Sequence, residues 1–201
     1  MKNDKWLKLG IVVAVVLVLL GGSCSVIGYN SIVDEDEAVM AAWSEVENQY
    51  QRRADSIPNL VATVKGEAKF EKETLQGVVE ARASVAGIKV DASMLDDPER
   101  FRQYEEAQAR LSSSLSRLLV VSENYPQLRS NAAFADLRSQ LEGTENRIAV
   151  ARKRYIEAVQ RYNAQVRKFP TSIGASLRGL DVRPTFQAIT PGAEVAPKVE
   201  L

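Results

Sequence analysis

From Val39 onward, apolar residues fall at steps of four and three, with one stutter between Val46 and Ile57: Val39, Trp43, Val46, Tyr50, Ala54, Ile57, Val61, Val64 and Ala68. Leu75, Val78 and Val85 keep the same phase, and only Glu71 and Arg82 interrupt it. A helix gathers residues so spaced onto one stripe, whereas a strand would need strict alternation. This pattern commits the body of the chain to an all-α fold. It runs through "QYQRRADSIPNLVAT" (49–63) without losing phase, although Pro58 removes a helical hydrogen bond and crowds the preceding turn at a cost of ~3 kcal/mol. The spacing predicts one long helix over 31–86, bent but not reversed at Arg52, Arg53, Asp55 and Pro58. Asp55 would cap a restarted turn, placing the proline where its missing N–H costs little.

Two further long helices follow. "DDPERF" supplies Asp97 as a cap and Pro98 as a first helical residue, and a stripe from Phe101 to Tyr125 predicts a helix over 98–125. A third is expected over 131–168, from Phe134 to Phe169, closed by Pro170. A short helix at 171–178 precedes a tail, 179–201, whose Pro184, Pro191 and Pro197 and lack of period read as extended or disordered. The expected architecture is an antiparallel bundle of three to four long helices over 31–178.

The N-terminus reads as a membrane address. Lys2, Lys5 and Lys8 precede 21 residues without a charge, Leu9 to Tyr29, and acids follow from Asp34. About 20 apolar residues suffice to cross a bilayer, and flanking lysines stay in the cytoplasm. A single-pass span over 1–30 with the body outside the cytoplasm is therefore expected. The alternative centres on "LLGGSC", which resembles a lipoprotein signal with Cys24 as the lipid attachment site. Gly21 stands where such signals usually carry an aliphatic residue, which favours the span.

Composition narrows the chemistry. There is no histidine among 201 residues and one cysteine, so Ser-His and Cys-His nucleophile pairs, Cys/His zinc sites and internal disulfides are excluded. Lysine plus arginine and aspartate plus glutamate each total 26, a balance that gives no reason to expect nucleic acid as a partner.

"YNSIV" (29–33), "QYQRRADSIPNLVATVKG" (49–66), "EKETL" (71–75), "SRLLVVSENYPQLRSN" (116–131), "LEGTENRIAVARKRYIEAVQRYN" (141–163) and "FPTSI" (169–173) resemble the bacterial LemA family in order along the chain. The resemblance implies an envelope protein with an N-terminal membrane segment and a helical-bundle body. It supplies no reaction and no catalytic residues. Members often have a leucine where Ser56 stands and a histidine where Phe70 precedes Glu71, so a role for that histidine does not transfer.

Two clusters merit a functional reading. Arg52, Arg53 and Asp55 could bind an anion or headgroup, but ion pairing around a kink is the preferred account. Glu142, Glu145, Asn146 and Arg147 surround Gly143, a mid-helix glycine that would let another helix approach closely. With Glu71 at the same height, they form a predicted structural polar cluster, Arg147 being the partner of Glu71. The alternative is a glutamate-based metal or hydrolytic site around Glu71, Glu142 and Glu145. A non-enzymatic scaffold or adaptor for unidentified envelope proteins is preferred, with no catalytic residue, metal or cofactor expected. If the first helix outruns its neighbours, residues 34–54 project uncovered, and their apolar stripe predicts a homo-oligomer.

Overall fold

The seam of the first helix is drawn into a core from Ile32 to Val64. The structure, a computed structural model, describes the backbone of residues 2–67 and 70–187 and the side chains of Gly10, 30–67 and 70–187. The expected membrane segment Leu9–Tyr29, with Cys24, and the tail beyond Gln187 lie outside the described side chains. Among the described residues no helix is long and apolar enough to cross a membrane.

Helix α1 runs unbroken over Lys2–Lys65. α2 follows at Lys72–Ala86, then a 3-10 turn at Ala92–Asp96, α3 at Pro98–Ser122, a single turn α4 at Pro126–Arg129, α5 at Ala132–Arg167 and α6 at Thr171–Leu177. The fold is all-helical, and α1, α2, α3 and α5 form an up-down-up-down bundle. α1 and α5 are antiparallel, tied at one end by Glu35 to Arg161 (3.1 Å) and midway by Arg53 to Glu145 (2.7 Å). α2 packs mainly along α3.

The expected helix 31–86 is thus corrected: it reverses, though not at Pro58. α1 passes through the proline and ends at Lys65, where turn bonds from Gly66 N–H to Thr63, Glu67 N–H to Val64 and Phe70 N–H to Glu67 bring the chain round. Phe70 anchors the reversal against Tyr125, ring to ring at 4.9 Å. Apolar phase is blind to chain direction, so Leu75 and Val78, in step with α1, serve equally well on an antiparallel α2. Asp55 caps nothing. Its carboxylate accepts from Gln51 within the same helix.

The caps of the later helices follow the sequence closely. Asp97 accepts from the Glu99 and Arg100 amides with Pro98 in the first turn, and Asn131 accepts from Ala133 and Phe134. Two apolar cores result. One gathers Ile32, Val39, Trp43, Phe101, Tyr155 and Tyr162, and the other gathers Ile57, Leu60, Leu115, Leu118, Phe134 and Leu141. The first covers the stripe of residues 34–54: Trp43 is only 2 % exposed. Its cover comes from the same chain, and α5, α6 and the start of the tail all contribute. The uncovered stalk on which self-association was argued does not exist among the described residues.

Candidate functional site

Between the two cores lies a polar layer centred on Arg53, a long cationic side chain left 1 % exposed. α1 points it inward because it sits one position from the seam residue Ala54, between Tyr50 and Ile57. Its guanidinium donates to Glu145 of α5 and to Ser112 and Gln108 of α3, and it lies 5.2 Å from the centre of the Tyr50 ring. Gln108 donates on to the Tyr104 hydroxyl at 2.8 Å. Burial raises the pKa values of the Tyr50 and Tyr104 hydroxyls, the latter to about 12, so both are neutral at physiological pH. Three helices meet here through one cation, which Glu145 pairs although the buried Nε of Arg53 has no partner, and which sets their mutual height.

The predicted cluster around Gly143 does not assemble. Glu71 is exposed beside α2 and accepts from Thr74. Glu142 takes a hydrogen bond from Arg138 at 2.9 Å, and Arg147 donates to Thr144 in its own helix. Asn146 is exposed, as is Arg52. Of the five, only Glu145 reaches another helix, and its partner is Arg53 rather than Glu71. Glu71 lies elsewhere because the first helix ends at Lys65 instead of continuing to residue 86. Gly143 is also not a close-approach point, since a Cβ there would meet only the Arg147 side chain at 3.6 Å. Among the described residues no group of three or more Asp, Glu, Cys or His side chains could hold a metal ion.

Beside the layer an open cavity of about 340 Å³ separates α1, α2 and α3, lined in part by Glu47, Gln51, Arg82, Tyr104, Gln108 and Leu111. Burial raises the Glu47 carboxyl above its usual range, partly offset by a hydrogen bond from Trp43. Arg82, the seam breaker of α2, donates from Nε to the Ala54 carbonyl at 3.3 Å. That carbonyl is four residues before Pro58, the acceptor that the proline leaves without a helical donor.

Sequence reasoning missed the strap formed by residues 183–187. Asn163 grips the Arg183 backbone at both its N–H (2.8 Å) and its carbonyl (3.0 Å), and the Tyr155 hydroxyl donates to the Pro184 carbonyl. The Arg183 guanidinium lies 2.9 Å from Asp36 and over the Tyr162 ring. Phe186 completes an aromatic box with Trp43, Phe101 and Tyr155, centroids 5.1–6.3 Å away. The signal was present, for Phe186 is the only aromatic residue after Phe169.

A four-helix bundle keyed by a buried arginine and closed by a C-terminal strap defines an all-α bundle protein. The LemA family model matches residues 42–201, and the chain belongs to that family. Among curated relatives, the magnetosome proteins MamQ 1 and MamQ 2 of Paramagnetospirillum magneticum are each 26% identical over 175 residues. The match spans 79% of this chain and 64% of theirs. The magnetosome protein MamQ of Magnetospirillum gryphiswaldense is 25% identical over 170 residues, 75% of this chain and 61% of its own. The chain thus spans less than two thirds of the length of these relatives.

Proposed function

We propose that the protein is a non-enzymatic, membrane-tethered scaffold or adaptor of the bacterial envelope, working through the flanks of its helical bundle. The observation that carries this reading is the continuity of α1. One helix, Lys2–Lys65, leads from the lysine-flanked uncharged run into the bundle and supplies nine of the thirty buried apolar residues among those described. A body joined to its anchor without a hinge is held at a fixed stance, which suits presentation of a surface better than capture of a diffusing substrate. The polar side chains that are buried, Arg53 and Glu105 among them, are engaged with other protein groups. That three relatives carry the name magnetosome protein supports a part in organising a cellular structure. The N-terminus lies in the cytoplasm and the bundle outside it.

Alkaline extraction of membranes together with intact mass tests the tether. The full chain should stay in the membrane at its unmodified mass. Release into the supernatant sinks the tether, and a product beginning at a lipidated Cys24 replaces the span with a lipid anchor. Photocrosslinkers at the exposed Val120 and Val150, placed in living cells, test the scaffold itself. Discrete protein adducts are expected, including any adduct to a second copy, and labelling of lipid or water alone would remove the adaptor reading.

A further inference from the structure

The end of the bundle nearest the uncharged run carries an unusual surface. Phe169 is 77 % exposed, Ile173 51 % and Leu177 82 %. Ile173 and Leu177, four apart, share one side of α6, and Phe169 is exposed in the turn that leads into it. The other side, through the buried Ala175, joins the same core as Ile32. Val33, on α1, is a further exposed apolar residue at this end.

The α1–α5 register fixes the height of this surface. Glu35 opposite Arg161 and Arg53 opposite Glu145 bring Arg167, the last residue of α5, level with about position 30 of α1. The uncharged run ends at Tyr29. α6 therefore crosses the bundle at the height where α1 leaves the hydrocarbon, and Val33 is only ~6 Å further on. The strap then turns back towards the bundle's middle, so α6 is its end cap. The exposed charges nearby balance, with Arg167, Lys168 and Arg178 against Asp34, Glu37 and Asp181. Ionic attraction to an acidic surface is thus weak, and the apolar side chains dominate the character of the face.

We infer that α6 is a membrane-seated foot, with Phe169, Ile173 and Leu177 entering the headgroup boundary of the bilayer that holds α1. The occupant is lipid, because the face lies at the exit point of an uncharged helix that is continuous with the bundle. An apolar helical face so placed sinks ~5–10 Å into the boundary region. Two attachments, the span and the foot, then fix both the tilt of the bundle and its rotation about α1. This inference rests on the tethered reading above.

The test uses the full chain with Cys24→Ser, carrying an environment-sensitive fluorophore at Leu177→Cys or, as a reference, at Val150→Cys on the flank of α5. The protein is reconstituted into phosphatidylcholine vesicles with and without phosphatidylglycerol, and circular dichroism checks each labelled variant for a native melt. The Leu177 label should shift to the blue and be quenched by spin labels near the headgroups, while the Val150 label stays in water. The signal should be the same in both lipid mixtures. Chains that fail to float with vesicles would overturn both the tether and the foot. Chains that float while the Leu177 label stays wet would overturn the foot alone. Shielding that grows with protein density and ignores lipid quenchers would make the occupant a second copy and refute the foot. Quenching confined to phosphatidylglycerol vesicles would refute seating by the apolar face.

Discussion

Pro58 and Arg82 are 24 positions apart, yet they act on a single atom. The proline denies the Ala54 carbonyl its helical donor, and the Arg82 guanidinium replaces that donor from the neighbouring helix. A double-mutant cycle should expose the link. Arg82→Met should cost about 1 kcal/mol in the natural chain and close to nothing beside Pro58→Ala, where a backbone N–H again serves residue 54. Urea unfolding of the four variants measures this, and additive costs would break the link. Glu47 makes a different prediction. Burial raises its folded pKa above 4.5, so the native state holds this proton more tightly than the unfolded chain does. Its contribution is therefore most favourable below the unfolded pKa and declines as pH rises through the folded one. Glu47→Gln, neutral throughout and still able to accept from Trp43, should raise the urea midpoint near pH 7 and leave it unchanged near pH 4.

At the scale of elements, what was legible was whatever local chemistry dictates. Asp97 with Pro98 announced the start of α3, because a cap satisfies amides in its own turn, whereas α5 was legible through its apolar period, with Asn131 found to cap it. The reversal after Lys65 was hidden because α2 happens to bury residues in phase with α1, and the polar cluster was misplaced as a direct result. The strap was hidden for another reason. Residues 183–187 are held by Asn163, Tyr155 and Glu105, far away in sequence, and no period marks a segment whose order comes from partners. Asn163→Ala should cost about 1–2 kcal/mol through two lost backbone contacts, and amide exchange around 183–187 should accelerate well before the bundle melts. Exchange that stays slow there would show that Phe186 alone holds the strap. Gly143→Ala should go the other way, raising stability by about 0.5–1 kcal/mol, since only a flexible arginine lies over that position.

In the whole molecule, Arg53 stands between two apolar cores and touches α1, α3 and α5 at one height. Its value is in alignment more than in net stability, for desolvating a guanidinium offsets much of what its partners return. Arg53→Ala should destabilise by about 3–5 kcal/mol, leaving a void and a bereft Glu145. Glu145→Gln should cost about 1–2, because that carboxylate is 42% exposed and Gln108 and Ser112 remain. Thermal melts of the two variants give the ratio, and equal losses would mean that the charge itself, rather than the aligned layer, is what matters. α1 has a consequence beyond stability. From Asn30 to Lys65 it rises ~54 Å without a break, so a tilt of ~5° where it leaves the uncharged run swings the far turn by ~5 Å. A change of a few ångströms in the thickness or slope of the surface beneath would become, at the tip, a displacement about the width of a helical backbone. In the tethered arrangement proposed above the bundle is a pointer, and a partner meeting it where α1 ends at Lys65 would read the shape of the ground on which it stands.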